Sequence, residues 1–177
     1  MDLRKQRTKR NIINAFIELR SKKPLEKITV KELAELALIN KATFYSHYSD
    51  IYDLSEQLEN ETIDMLLTNV PHPEELISNP KQATETLAIA FISQSRLINI
   101  LFSNNRTSIL VNKLEQKIKE RIFTVYPDYK NNLEQDVLLT ILIQGVFYAY
   151  LSHCGNTDEK QLIDIVSRIS ERMLISN

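Results

Sequence analysis

The amino-acid sequence predicts an all-α protein with two helical parts. The 177 residues include two glycines, which is too few for the glycine-rich phosphate-binding loops of nucleotide-binding α/β folds. Apolar residues recur at a spacing of three and four along most of the chain, as expected for helices with one buried face. Hydrophobic residues make up 43% and charged residues 25%, which is ordinary for a globular protein. We expect an N-terminal three-helix domain at 1–50 and a helical regulatory and dimerisation domain at 51–177.

The first helix is predicted from Thr8 to Lys22, with Ile12 and Phe16 on its apolar side. It should end before Pro24, because the residue that precedes a proline disfavours the helical conformation. Leu25 and Ile28 would then cover the edge of a small three-helix core.

The next stretch, 29–48, predicts a helix-turn-helix. Thr29 and Glu32 have the spacing of a capping box, so a short helix should run from Val30 to about Ala37. Asn40 is a good cap for a second helix, from Lys41 to Tyr48, after a turn of about three residues. In such a motif the second helix lies in the major groove of DNA, with its N-terminal residues at the base edges.

The outward side chains of this second helix are the predicted DNA contacts. Phe44 and Tyr48, four residues apart, should point inward. The lysine and the hydroxyl groups can donate to bases or phosphates, while an alanine and a threonine methyl can touch a thymine methyl. Tyr45 and His47 have the simpler alternative of being solvated surface residues. With the two caps, the predicted contact set is Thr29, Asn40, Lys41, Ala42, Thr43, Tyr45 and His47.

Charge is distributed unevenly between the two parts. Residues 1–50 hold 11 Lys and Arg against 6 Asp and Glu, a balance of +5, whereas residues 51–177 hold 11 against 17, a balance of −6. The first residues form a basic arm, Arg4, Lys5, Arg7, Lys9 and Arg10, that can lie along phosphates or enter the minor groove. A disordered, solvated terminus is the alternative.

The second part begins with a helix capped by Asp50 and running to about Asn69. A proline-rich loop at 71–80 follows, then a helix that starts at Asn79-Pro80 and breaks near Ser95. Another helix is expected from about Ser108 to Val125.

The last two helices suggest a homodimer. Residues 132–153 are apolar nearly all round, so this helix must be covered on two sides. A second subunit can supply one side, and a two-fold axis would place two reading heads on adjacent half-sites. The alternative is complete burial within one subunit. The predicted interface is Phe147, Leu151, Leu162, Ile165, Val166, Ile169 and Met173.

Other functional classes have little support in the sequence. His47, His72 and His153 lack the spacing of metal ligands, and Cys154 beside His153 cannot form a nucleophile–base pair by adjacency on a helix. We therefore expect no enzyme, metal or cofactor. The single cysteine and the polar first residues suggest the cytoplasm. The apolar tract 137–151 is too short and too mixed to cross a membrane.

The N-terminal residues resemble the TetR family of bacterial transcriptional regulators. The resemblance covers roughly residues 8–54 and rests mainly on Thr43-Phe44-Tyr45 and His47-Tyr48. It implies a homodimeric repressor that binds double-stranded DNA at a near-palindromic operator and is released by a small-molecule inducer. Leu38 stands where the family usually has glycine, which suggests a slightly altered turn, and Ile51 where it commonly has a phosphate-binding lysine. These departures support the alternative of a coactivator or adaptor that binds a protein and no longer uses its DNA motif.

A TetR-like regulator usually has an effector pocket among its C-terminal helices. Polar residues within apolar stretches are the candidate contacts, although each can equally be a satisfied core or interface residue. Arg96 would suggest an anionic effector if it is buried. The candidates are Gln94, Arg96, Thr140, Gln144 and Tyr148.

Overall fold

A computed structural model describes residues 3–68, 72 and 75–175, and within these ranges the chain is helical without a strand. The all-α prediction is confirmed. The helices are α1 Leu3–Arg20, α2 Val30–Leu36, α3 Lys41–Tyr45, α4 Ile51–Thr68, α5 Glu75–Ser78, α6 Pro80–Ser93, α7 Ser95–Leu101, α8 Thr107–Val125, α9 Pro127–Lys130, α10 Leu133–His153 and α11 Glu159–Ile175, with a 3₁₀ turn at Leu25–Lys27. Asn69, Pro71 and Pro73 of the predicted helix end and loop lie outside the described residues.

One compact unit comprises Met1–Thr62 and Arg96–Arg106. Its core is built on Ile12, Phe16, Leu33, Phe44 and Leu54, whose side chains are completely buried. The unit continues past residue 50 into α4 and takes in a segment from much later in the chain. We call this unit the first unit.

Buried polar contacts hold residues 96–106 in the first unit. Arg20, near the end of α1, donates from Nη1 to the carbonyl oxygen of Lys23 and from Nη2 to that of Leu101, both at 3.1 Å. Arg106 Nη2 lies 2.5 Å from Glu59 Oε1, and Ser55 Oγ donates to the same carboxylate oxygen at 2.9 Å. Glu59 is only 1% exposed, so these contacts supply polar partners to a carboxylate that solvent hardly reaches.

The second unit comprises Ile63–Ser95 and Thr107–Asn177. Small residues, Ala83, Ala90, Ser167 and Ser170, are buried where α6 packs against α11, and they allow the two helices to approach closely. Thr84 Oγ1 and Ser170 Oγ share a hydrogen bond of 2.9 Å across this contact. α8 and α10 complete the core through the buried side chains Leu114, Ile118, Ile122, Leu139 and Leu142.

α10 is the one described helix that is long and apolar enough, by length and composition, to cross a membrane. A single helix of this kind is weak evidence for a membrane span, because the core helix of a globular domain has the same properties. α10 packs against α8 and α11 through Leu139, Leu142, Ile143, Phe147 and Tyr150.

Leu38, between α2 and α3, has a backbone φ of +56°. The turn therefore keeps the left-handed conformation that favours glycine, although a leucine occupies it. The slightly altered turn expected for a non-glycine residue is not adopted at this position. Burial of the Leu38 side chain does not offset the cost of this backbone conformation, because Leu38 is 90% exposed.

Side-chain caps fix the beginnings of the helices around this turn. Thr29 caps α2 and accepts a hydrogen bond from the Glu32 backbone N–H at 3.3 Å. In the predicted capping box the Glu32 carboxylate would accept from the Thr29 backbone N–H. It forms an ion pair with Lys23 instead. Asn40 caps α3, as predicted, and Asp50 accepts from the Asp53 backbone N–H at 2.8 Å where α4 begins.

Candidate functional site

α3 presents a polar surface without a carboxylate. Asn40, Lys41, Ala42 and Tyr45 are exposed, and Thr43 and His47 are half-buried beside them. All the contact residues that the sequence predicted on this helix therefore reach solvent. We call this set, Asn40 to Thr43 with Tyr45 and His47, the α3 surface. Ser46, which is not among the predicted contacts, is also exposed, and its hydroxyl donates to the Thr43 carbonyl at 2.7 Å.

Aromatic packing holds α3 in place from the opposite side. Phe44 is fully buried, and its ring centroid lies 5.6 Å from that of Tyr45 and 5.8 Å from that of Tyr48. The Phe44 and Tyr45 rings meet edge to face, which is a favoured arrangement. Tyr45 is thus supported at its base while the side chain stays 57% exposed.

The cap of α3 also orients one of its functional groups. Asn40 Oδ1 accepts from the Thr43 backbone N–H at 2.7 Å and from the Thr43 hydroxyl at 2.9 Å. The Thr43 proton is therefore committed within the helix, and the hydroxyl oxygen retains only its capacity to accept. A ligand atom that accepts a hydrogen bond from Thr43 must first displace the bond to Asn40.

The carboxylates that follow α3 are engaged in local structure. Asp53 Oδ2 accepts from the Ser49 backbone N–H at 2.7 Å, and Gln57 donates to Asp53 Oδ1 at 2.8 Å. The bond from the Ser49 backbone lowers the pKa of Asp53, and the bond from Gln57 adds to this effect. These negative charges stabilise the beginning of α4.

The predicted basic arm belongs to α1, which begins at Leu3 and not at Thr8. Arg4, Lys5 and Arg7 are exposed on its first two turns. The Thr8 hydroxyl donates to the Arg4 carbonyl at 3.0 Å, as a residue inside a helix does, and does not cap a helix start. The arm therefore presents its charges from a helix and not from an extended chain.

Lys9, on the second turn of α1, forms an ion pair with an acidic residue of α4. Its ammonium lies 2.8 Å from Glu61 Oε1 on α4. This hydrogen bond raises the pKa of Lys9 and outweighs the opposing effect of burial. Nearby, the buried Tyr48 hydroxyl has no hydrogen-bond partner among the described residues.

In the second unit, two predicted effector contacts are engaged in a network between α8 and α10. The Thr140 hydroxyl donates to Glu115 Oε1 at 2.7 Å, and Gln144 Nε2 donates to Glu115 Oε2 at 2.5 Å. Lys119 Nζ lies 2.7 Å from Asp136 Oδ1 and 2.9 Å from Glu115 Oε1. Thr140 and Gln144 are therefore satisfied within the protein.

The network shifts two pKa values in opposite directions. Burial raises the pKa of Glu115, but hydrogen bonds from Gln144, Lys119 and Thr140 outweigh it, so the net pKa is lowered. Burial likewise lowers the pKa of Lys119, yet its bonds to Asp136 and Glu115 leave the net pKa raised. Both groups therefore hold their charges more strongly than they would in water.

The other three predicted effector contacts lie elsewhere. Arg96 is exposed, so the condition for an anionic effector, a buried Arg96, is not met. Gln94 is half-buried at the C-terminal cap of α6, and Tyr148 is 41% exposed on α10. Each of these residues was a candidate because it is polar and lies within an apolar stretch of the sequence.

An apolar cavity of about 50 Å³ lies elsewhere in the second unit. None of the five predicted effector contacts lines it. Its walls come from α5, α6, α8, α10 and α11, including Leu87, Ala88, Phe91, Val146 and Phe147. The sequence does not predict this cavity, because the cavity is a space left between side chains of five different helices.

The predicted interface residues divide into three groups. Phe147, Leu162 and Val166 are buried in the core of their own unit. Leu151, Ile165 and Met173 are half-buried, and Ile169 is 47% exposed. The exposed apolar residues of α10 form a different set, here called the α10 stripe: Leu133, Val137, Ile141 and Tyr148.

No protein-family model matches the sequence. A search of curated proteins found no significant match. In the part of the chain that the structure describes, no three His, Cys, Asp or Glu side chains are grouped so that they could hold a metal ion.

Proposed function

We propose that this protein is a DNA-binding transcriptional regulator of the TetR type, and that it acts as a homodimeric repressor. The observation that carries the proposal is the α3 surface. It combines an exposed lysine, an exposed tyrosine and a capped helix start, and it contains no carboxylate. DNA is a polyanion, so a helix that enters its major groove needs this chemistry.

In the proposed complex α2 and α3 act as a helix-turn-helix, with α3 in the major groove. Lys41 and Ala42, in the first turn of α3, are exposed where base edges would lie. Tyr45 and His47 lie one turn further on and would donate to phosphates. Asn40 would hold the N-terminal end of the helix in position for both kinds of contact.

The basic residues of α1 supply the sequence-independent part of the proposed interaction. Arg4, Lys5 and Arg7 are exposed in the same unit as the α3 surface. Each phosphate that they neutralise releases counterions from DNA, which makes the affinity fall as salt rises. Lys9 adds little to this term while it is paired with Glu61.

The α10 stripe supports the proposed homodimer. Four large apolar side chains, 41–77% exposed, follow one side of a helix whose other side is buried. A two-fold copy of the same surface would cover them, since an isologous interface is self-complementary. The dimer would present two α3 surfaces to half-sites about one turn of DNA apart.

The proposal is tested by selecting duplexes from a random DNA library with the full chain, then measuring affinity by fluorescence anisotropy at several salt concentrations. Lys41→Ala should weaken binding to the selected DNA by roughly tenfold or more, the cost of one good base contact. Lys160→Ala removes the same charge from an exposed site in α11 and serves as the matched control. Failure to enrich any sequence, or equal affinities for Lys41→Ala and wild type, would contradict the proposal.

A protein-binding adaptor is the second candidate, and one observation favours it. Leu38 is 90% exposed and Leu36 is 41% exposed on the first unit. A leucine held at positive φ without burial is costly, and such costs are often retained for a contact outside the chain. If Leu38→Gly abolishes transcriptional regulation in cells while the affinity for the selected DNA is unchanged, the adaptor function gains support.

A further inference from the structure

A polar cleft of about 320 Å³ lies within the first unit. Its walls come from two stretches that are far apart in sequence, residues 20–24 at the end of α1 and residues 99–104 at the end of α7. The volume is at the lower end of the range of small-molecule sites, about 300–1,000 Å³. The cleft is therefore large enough for a small ligand that contacts both stretches.

The chemistry of the cleft is that of an anion site. Three of the described residues that line it are cationic, Arg20, Lys22 and Lys23, and none of them is acidic. The second stretch adds the side-chain amides of Asn99 and Asn104, which can donate hydrogen bonds. Hydrogen bonds from charged donors to an oxyanion are stronger than those between neutral groups. This set of donors therefore favours an oxyanion over a neutral or cationic ligand.

Arg20 is the buried member of this set, with only 2% of its surface exposed. A guanidinium has five N–H groups. Arg20 donates from Nη1 to the Lys23 carbonyl and from Nη2 to the Leu101 carbonyl, but its Nε is buried without a hydrogen-bond partner among the described residues. Buried polar groups are usually hydrogen-bonded, so Arg20 has donor capacity that the surrounding protein does not use.

The charge around Arg20 is also incompletely balanced. Burial lowers the pKa of Arg20, and the charge of Arg106 lowers it further. Glu26 and Glu59 raise the pKa of Arg20 but do not outweigh these two effects. The buried Glu59 carboxylate is already ion-paired with Arg106 at 2.5 Å. Two neighbouring guanidiniums therefore share one buried carboxylate, and an anion in the cleft would supply further negative charge.

The two lysines of the cleft have ion pairs that lie in solvent. Lys22 pairs with Glu18 at 2.7 Å, and Lys23 pairs with Glu32, and all four side chains are partly exposed. Ion pairs of this kind contribute little to stability, so either ammonium group can turn to a ligand at small cost. A multiply charged anion gains from both lysines, which favours a phosphate group over chloride.

We propose that this cleft binds a small phosphate-bearing anion, held by Arg20 and by the ammonium groups of Lys22 and Lys23. The anion would contact the end of α1 and residues 99–104 together, so it would strengthen the attachment of residues 96–106 to the rest of the first unit. The site is separate from the basic arm, because Arg4 and Arg20 lie at opposite ends of α1, about 24 Å apart at 1.5 Å per residue.

The first test is isothermal titration calorimetry of the full chain with pyrophosphate, at an ionic strength held constant with sodium chloride. The double variant Lys22→Ala/Lys23→Ala should bind pyrophosphate roughly tenfold more weakly than wild type, since it loses two charge-assisted contacts. Lys27→Ala/Lys31→Ala removes two exposed lysines of the same unit that do not line the cleft, and it should bind like wild type. An equal loss in both double variants, or no binding by wild type, would overturn the site.

NMR of the arginine Nε–H groups locates the anion in wild type, without a substitution that could disturb folding. Pyrophosphate should shift the Nε–H resonance of Arg20 and the side-chain amide resonances of Asn99 and Asn104. Sodium chloride at the same ionic strength should leave these resonances in place. Shifts confined to Arg4 and Arg7 would place the anion on the basic arm and would overturn the assignment.

Hydrogen exchange tests the effect on residues 96–106. Pyrophosphate should slow the exchange of their backbone amides in wild type, because the ligand would stabilise the closed form of this segment, and should not do so in Lys22→Ala/Lys23→Ala. Unchanged exchange in wild type with pyrophosphate bound would overturn the effect on attachment.

Duplex DNA is the other source of phosphate groups, and competition distinguishes it from a small anion. Saturating DNA should reduce the affinity for pyrophosphate far less than Lys22→Ala/Lys23→Ala does. If DNA instead abolishes pyrophosphate binding at Arg20, the cleft is a contact for the DNA backbone and the assignment to a small anion is wrong. That result would leave the proposed DNA-binding function standing, whereas failure to select any DNA sequence would not affect the calorimetric test of the cleft.

Discussion

Arg20 Nη2 donates a hydrogen bond of 3.1 Å to the carbonyl oxygen of Leu101, a residue 81 positions later in the chain. Leu101 is the last residue of α7, and Lys23, which accepts the other bond, follows the end of α1. Helix C-termini carry partial negative charge, so one guanidinium stabilises two of them at once. Burial lowers the pKa of Arg20, and the neighbouring Arg106 lowers it further.

Arg20→Met should therefore destabilise the protein by about 2–4 kcal/mol, since it removes one buried and one part-buried hydrogen bond from a charged donor. Urea unfolding measures the loss. Lys22→Met, an exposed position two residues on, should change the free energy of unfolding by less than about 0.5 kcal/mol. Similar values for the two variants would mean that Arg20 does not hold residues 96–106 in the first unit.

Leu38→Gly should stabilise the protein, by about 0.5–1 kcal/mol. The substitution removes the strain of a leucine at positive φ, roughly 1–2 kcal/mol, and this exceeds the entropy that an added glycine gives the unfolded chain. Glu35→Gly places a glycine in the neighbouring helix α2 and should lower the free energy of unfolding by about 1 kcal/mol. A destabilised Leu38→Gly would show that the exposed side chain contributes more than the strained backbone costs.

Asn40→Ala should cost about 1 kcal/mol, the usual value of a helix N-cap, and should also weaken DNA binding because it frees the first turn of α3. Asn132→Ala removes the corresponding cap of α10 and is the matched control. The control should lose similar stability in urea and keep its affinity in the anisotropy titration. Equal DNA affinities for the two variants would argue against α3 as the reading helix.

Ile141→Glu should dissociate the proposed dimer, because it places a charge in the middle of the α10 stripe. Sedimentation velocity gives the molecular mass of the variant. Val125→Glu puts the same charge on a residue of α8 that is 50% exposed and should leave the mass unchanged. A dimeric Ile141→Glu would place the interface elsewhere.

Acid should weaken the network of α8 and α10. The folded pKa of Glu115 lies below its ordinary value of 4.5, so its stabilising contribution is present above that pH and is lost as pH falls through the folded pKa. The pKa of Lys119 is raised above 10.5, so Lys119 remains charged throughout this range. Urea unfolding from pH 7 to pH 3 should show a smaller acid loss for Glu115→Gln than for wild type. Glu120→Gln, an exposed neighbour, should behave like wild type.

Local chemistry was predictable because its causes lie within a few residues. Thr29 and Asn40 cap their helices as expected, and the break near Ser95 separates α6 from α7. The predicted start of α1 at Thr8 is five residues later than the observed start at Leu3. Thr8 was interpreted as the helix boundary, and the helix-forming residues before it were left out of the predicted helix. The capping box was half right, since Lys23, nine residues from Glu32, competes for its carboxylate.

Long-range features were not predictable from spacing. Thr140 and Gln144 share a helix face, but sequence does not reveal that Glu115 lies opposite both. α10 is apolar on all sides, so its periodicity cannot tell the side that faces the core from the side that is exposed. Phe147 was therefore predicted to lie in a dimer interface although it is buried inside its own unit, whereas the exposed Ile141 was not among the predicted residues.

The discontinuity of the first unit limits how this protein can be cut and recombined. A fragment ending at residue 50 or 62 would lack 96–106, leaving Arg20 without the Leu101 carbonyl, and the longer fragment would also leave Glu59 without Arg106. Leu101 and Phe102 would leave an apolar gap in its surface. A chimaera that exchanges the N-terminal part must therefore also exchange residues 96–106. The first unit can be transferred to another protein only as two separate segments of chain.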